Sequence, residues 1–144
     1  MKGDKVFLDT NILVYAYDIS AGRKHNHAEK IVADLWNART GVLSIQVLQE
    51  FFVSVTKKIP HPLDSSAARD IVKDFIQWEI VVNDGELTLE AIEIQTKQRF
   101  SFWDAMIIAA ALRSDASTLL TEDLSDGRLI EGLRIENPFK ELEL

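Results

Sequence analysis

Cysteine is absent from this chain of 144 residues. That excludes disulfides, a thiolate metal site and a cysteine nucleophile, and it fits a reducing cytoplasm. Histidine is scarce. His25 and His27 stand two residues apart on an expected helix, so their rings face different directions. They are expected to be solvated, because a helical metal pair needs i, i+4 spacing. His61 sits between Pro60 and Pro62 and reads as a loop residue. No apolar run approaches the length of a membrane span. Met1-Lys2-Gly3-Asp4-Lys5 leads directly into the first apolar run, without the apolar segment of a signal peptide. No membrane role and a cytoplasmic location are therefore expected. A Gly-rich phosphate loop and a Ser-His-Asp set are also missing. Linkers, repeats and low-complexity segments are absent, so residues 1–144 are expected to form a single domain.

What the chain has in excess is acid. Net charge is −7, divided as +2 over residues 1–73 and −9 over residues 74–144. An acidic chain argues against a nucleic-acid partner, unless the acids gather divalent cations and the local sign inverts.

Val6-Phe7-Leu8 is apolar without alternation, which predicts a strand buried on both faces, as in a parallel sheet. It stops at Asp9. Thr10 and Asn11 are both suitable N-caps for a short helix reaching Tyr17. Asp9 is thus delivered at a strand tip, where open α/β sheets bind ligands, though it would serve equally as a helix cap. A helix over Arg23–Arg39 ends at Gly41, and Val42–Ser44 is the second strand. In the third helix, Ile45–Ile59, the residues Gln46, Glu50, Ser54 and Lys57 line one side, opposite the apolar set. Glu50 can reach the rim that carries Asp9, or stay solvated near Lys57.

Ala67–Trp78 is a helix capped by Asp64 or Ser65, with Ile76 in its apolar set. Glu79–Val82 is the third strand. Leu87–Phe100 is a helix with Leu89, Ile92 and Ile94 inward. Ser101-Phe102-Trp103-Asp104 opens a helix that is apolar all round through Leu112, hence buried on most sides. Ser101 and Asp104 fit a capping box, and Trp103 reads as packing. Thr118–Thr121 is the fourth strand, followed by Glu122-Asp123, which repeats the logic of Asp9. Leu133-Arg134-Ile135 reads as an edge strand and Phe139–Leu144 as a tail. Strands alternate with helices throughout, which predicts a three-layer α/β/α sandwich around a mainly parallel sheet.

Four carboxylates, Asp9, Glu50, Asp104 and Asp123, then share one edge of that sheet. Close like charges raise each other's pKa and destabilise a fold unless a cation sits among them. All-oxygen ligation suits Mg²⁺ or Mn²⁺ over zinc, and the chemistry it favours is phosphodiester hydrolysis.

Phe7-Leu8-Asp9-Thr10-Asn11, Ser101-Phe102-Trp103-Asp104-Ala105 and Leu119-Leu120-Thr121-Glu122-Asp123-Leu124, in this order with Glu50 between, resemble the PIN-domain ribonucleases, specifically VapC-type toxins of toxin–antitoxin pairs. The resemblance spans nearly the whole chain. It implies Mg²⁺- or Mn²⁺-dependent endonucleolytic cleavage of RNA, a homodimer, and a cognate antitoxin that blocks the active site. It places Asp9, Glu50, Asp104 and Asp123 as the catalytic, metal-holding acids, with Asn11 and Thr121 as their polar partners. Asp126 is an extra acid, a candidate contact behind the ligands or to a second metal. Candidate phosphate contacts are Arg23, Lys24, Lys57, Lys58, Lys97 and Arg99. Two other readings compete: a non-catalytic module that binds a cation or a partner, and a DNA-directed enzyme of the 5′-nuclease kind.

Overall fold

The structure, a computed structural model, describes residues 4–143. Met1–Gly3, read above as leading directly into the first strand, and Leu144 of the expected tail lie outside the described residues.

Strand β1 (Val6–Leu8) sits in the middle of a six-stranded sheet. With β2 (Gly41–Ser44), β3 (Glu79–Val81), β4 (Thr118–Leu120), β5 (Leu129–Ile130) and β6 (Leu133–Glu136), the order is β3-β2-β1-β4-β6-β5. All pairings are parallel except β5 with β6. Phe7, Leu8, Leu43 and Leu119 are fully buried, as strands covered by helices on both faces require. The flanking helices are α1 (Thr10–Tyr15), α2 (Arg23–Ala38), α3 (Ile45–Val53), α4 (Ser65–Phe75), α5 (Gly85–Gln98) and α6 (Phe102–Arg113). The expected α/β fold class is what is observed. Helix α6 is also buried as expected, with every residue from Ala105 to Ala111 in the core. Over Ala105–Ala111 its apolar surface is therefore satisfied within one chain.

Several local expectations are corrected. Leu133–Glu136 is not the sheet edge: Leu129 and Ile130 turn back on it and add a two-residue outer strand. Helix α2 is ended by Arg39 in the left-handed conformation (φ 58°), not by Gly41. Gly41 is required for a different reason. A Cβ there would lie 2.2 Å from the Trp78 ring. In α5, Leu89 and Ile92 face solvent, while Leu87, Ala91 and Ile94 are buried. The inward stripe follows i, i+4, i+7 from Leu87, and it includes a small residue that apolar size alone does not flag. Ile76, next to the buried Phe75 that ends α4, is exposed. His25 is not simply solvated: its Nδ1 donates to the Tyr15 carbonyl at 2.9 Å. His27 packs edge-on against Phe139.

The third helix holds the largest surprise. After Val53 it widens into a π-helical segment over Ser54–Lys58. A π turn inserts extra residue per turn, so side chains beyond it rotate out of α-helical register. The polar stripe of Gln46, Glu50 and Ser54 therefore continues to Lys58 and not to Lys57.

Candidate active site at the carboxyl edge of the sheet

Parallel strands all end on one edge, and there the chain places Asp9 after β1, Ser44 at the start of α3, and Thr121 to Asp123 after β4. Asp9 is the N-cap of α1, its Oδ1 accepting from the Thr10 N–H at 2.7 Å. Neither Thr10 nor Asn11 is the cap. Capping is therefore one role of Asp9, and it occupies one of the two oxygens. Oδ2 accepts from the Thr121 hydroxyl at 2.8 Å. Thr121 is fully buried, and its Oγ1 also accepts from the Asp123 N–H at 3.2 Å. One threonine thus ties together acids that are far apart in sequence.

Asp123 Oδ2 accepts from the Asn11 amide at 2.9 Å. Glu50 Oε1 accepts from the Thr10 hydroxyl at 2.7 Å, so Glu50 is neither free in solvent nor paired with Lys57. Asp104 occupies the first turn of α6, where its N–H bonds Ser101 Oγ at 3.1 Å. Only that half of the capping box forms. The Asp104 carboxylate has no hydrogen-bond partner among the described residues.

All four acids line one open cavity of about 610 Å³. Asn11 lines it too, and Thr121 lies directly behind Asp9. Among the described residues lining it, Lys58 is the one cation. Asp9 is 7% exposed. Burial, and secondarily the charges of Asp123 and Glu50, push its carboxyl up to about 6 against the pull of the Thr121 and Thr10 hydrogen bonds. The Asn11 Oδ1 is buried without a hydrogen-bond partner among the described residues, an unsatisfied acceptor on a residue that lines the acidic cavity. Among the described residues, no three acids or histidines stand close enough to hold an ion as they are placed. Each acid, Asp104 excepted, is held by a neighbouring donor.

Asp126 is not brought to this cavity. Its carboxylate accepts from the Asn137 N–H at 2.8 Å and pairs with Lys140 at 3.0 Å. Those two contacts hold it below the usual carboxylate range. Of the six proposed phosphate contacts, Lys58 alone lines the cavity. Lys24 pairs with Glu122, which also accepts from the Tyr15 hydroxyl. Arg99 is the left-handed cap of α5, and Lys97 lines a separate cavity with Glu90 and Glu93.

Sequence reasoning missed three contributors. Trp103, read as packing, is 63% exposed and lines the cavity. Gln46 is buried on the α3 wall, its Oε1 accepting from Asn83 at 3.3 Å. Thr10, read as a cap, orients Glu50. For Gln46 the polar stripe on the third helix was a usable signal. Trp103 had one as well, since it directly precedes a candidate acid.

The PIN domain family profile matches residues 6–125. No curated protein matches the chain by sequence. Solved structures do resemble it. A toxin–antitoxin complex from Klebsiella pneumoniae has a TM-score of 0.66 at 20% identity, over 93% of this chain and 98% of that one. VapBC2 from Rickettsia felis, bound to a promoter DNA fragment, gives 0.62 at 25% identity over 92% and 97%. The VapC20 toxin of Mycobacterium tuberculosis, described as cleaving the sarcin–ricin loop, gives 0.60 at 16% identity over 80% and 87%.

Proposed function

The chain belongs to the PIN-domain family, and from that premise we propose that it is a Mg²⁺- or Mn²⁺-dependent endoribonuclease, the toxin of a type II toxin–antitoxin pair. The observation that carries the reading is the cavity itself. Four separate segments each contribute one carboxylate to it, against one lysine.

The donor set fits a hard divalent cation: it is all oxygen, with neither cysteine nor histidine. The raised Asp9 carboxyl and the unsatisfied Asn11 Oδ1 mark a site short of positive charge and of donors. Asp9, Asp104 and Asp123 would hold the ion directly or through water. Glu50 would hold a second ion or orient the attacking water. When bound, such an ion lowers the pKa of water and neutralises phosphate charge. Thr121 and Asn11 fix the orientation of Asp9 and Asp123, the supporting role that polar partners play behind metal-binding carboxylates. Thr10 does the same for Glu50. Asp104, lacking a donor of its own, is the acid best able to turn toward a ligand.

The likeness to toxin–antitoxin complexes supports an antitoxin partner, here one whose basic side chain enters the acidic cavity; the family resemblance adds a second copy of the chain. No described helix is long and apolar enough to cross a membrane, and the proposed site of action is the cytoplasm, where RNA is available.

The test is incubation of purified, antitoxin-free protein with total cellular RNA. Cleavage is expected in Mg²⁺ or Mn²⁺ and is expected to stop in EDTA. Cutting that persists in EDTA, or none with either ion, overturns the reading. Cleavage of single-stranded DNA in preference to RNA would favour the 5′-nuclease alternative.

A further inference from the structure

Trp103 shares the first turn of α6 with Asp104, and its indole is left largely in water. Large aromatic side chains usually gain by burial. This one is braced instead, edge-on against Phe102 with ring centroids 5.0 Å apart and planes at 76°. Across the sequence, on the α3 wall of the same cavity, Val53 is 45% exposed. Two exposed apolar side chains from different helices thus border a cavity that holds four carboxylates.

Charge decides what they can be for. Proteins that hold nucleic acid through phosphates rely on arrays of Lys and Arg. This cavity offers Lys58 alone among its described lining residues, in a chain of net charge −7. Basic side chains supply little of the affinity for a polyanion here. An ion held by the acids would meet a phosphate, and base stacking is the source of affinity that the exposed side chains themselves offer, because every base has a π-face and an aromatic ring accepts any of them.

We infer that Trp103 and Val53 form a slot for one unpaired nucleobase beside the acids, with Lys58 taking a nearby phosphate. A base inside a duplex has both faces covered, so the slot admits one that is splayed out of its stack. The inference rests on the nuclease reading for its ligand and adds to it the element that holds the strand.

The experiment measures anisotropy of fluorescein-labelled decauridylate with the full chain in Ca²⁺, the oligonucleotide being checked for integrity after each titration. Trp103→Ala is expected to raise Kd ~5- to 100-fold at every salt concentration, the range of a single base–aromatic stack. Trp103→Phe should recover most of that loss. Lys58→Gln should lower the slope of log K against log salt by about 1, the effect of one phosphate contact. A short RNA duplex should bind Trp103→Ala as it binds the parent protein. Because Trp103 is exposed, both variants should melt with the parent. Unchanged decauridylate binding by Trp103→Ala overturns the slot. So does a Trp103→Ala variant whose sole defect is lost self-association by light scattering, which would assign the indole to a protein contact. Trp103-dependent binding by a protein that cuts no RNA keeps the slot and overturns the nuclease reading.

Discussion

The sheet has two edges, and each carries a cavity of nearly the same size, about 610 Å³ at the carboxyl edge and about 570 Å³ at the amino edge. Their charges are opposite in kind. At the amino edge, Lys5 pairs with Glu79 at 2.9 Å and donates to the Ser114 carbonyl at 3.2 Å, while Arg39 lines the cavity as well. Trp36 and Trp78 pack edge-on beside them. The one acid among the described residues there is paired with base. At the carboxyl edge four acids face one lysine, and the partners of Asp9, Glu50 and Asp123 are neutral hydroxyls and amides. Volume therefore does not separate the two cavities. What differs is like charge gathered without an opposing partner, which costs stability and is the mark of a candidate site.

The sharpest way to break this contrast is to neutralise acids on each edge and measure RNA cleavage. Asp9→Asn, Asp104→Asn or Asp123→Asn should each lower activity by ~10²- to 10³-fold, the usual cost of removing one preorganised electrostatic group. Glu50→Gln should cost less. Glu79→Gln, at the other edge, should leave cleavage within twofold of the parent. Asp104 is the most informative of these. If it served mainly as a helix cap, cleavage would survive its loss.

Stability should move the opposite way. Folding raises the Asp9 carboxyl from 3.8 to about 6. The folded state therefore favours the protonated form. Ionisation opposes folding at pH values above both numbers, and that penalty is relieved as the pH falls from about 6 toward 4. At pH 7 the penalty is on the order of 3 kcal/mol. Metal-free protein should accordingly melt higher as the pH is lowered from 7 to 5, and Asp9→Asn should remove this slope and raise the melting temperature at pH 7. The same variant should lose much of the gain in melting temperature on adding Mn²⁺, since that gain reports binding to the native state. A variant that melts lower and keeps the full Mn²⁺ gain would make Asp9 scaffolding.

The amino edge should behave as ordinary structure. Gly41→Ala drives a methyl into the Trp78 ring and should cost about 1–3 kcal/mol, as overpacking does. Its gain in melting temperature with Mn²⁺ should be that of the parent. The smallest effect belongs to Glu79→Gln, which removes a pair whose members are both well exposed. Its cost in a denaturant melt should be about 0–1 kcal/mol and should vanish in high salt.

Much of the carboxyl edge was legible from the residues. Asp9 and Asp123 stand directly after buried strands, and an acid at a strand tip is a local pattern. Asp104 opens a helix too apolar to be exposed, and Glu50 lies on the polar stripe of α3. What was not legible depends on departures from regular geometry. The π turn after Val53 replaces Lys57 with Lys58 at the cavity, and ideal helical spacing does not anticipate it. Arg39 ends α2 in a left-handed conformation uncommon for a residue with a side chain. Leu129 and Ile130 are too short a run to announce a strand. Size and apolarity point Leu89 inward and make Trp103 read as packing, yet which face of a helix is covered is decided by the neighbours it meets.

The sequence by itself determined the alternation of strands and helices as far as β4, the all-oxygen donor set and the four candidate acids, because these follow from periodicity, absence and short-range pattern. Tertiary structure alone decided how those acids are held. Thr121 reaches Asp9 across 112 positions, as Asn11 reaches Asp123, and Thr10 reaches Glu50 across 40. It also decided that burial pushes the Asp9 carboxyl up to about 6, since a carboxyl's pKa reports the water it has lost and the charges beside it. Neither quantity exists until the chain has closed on itself.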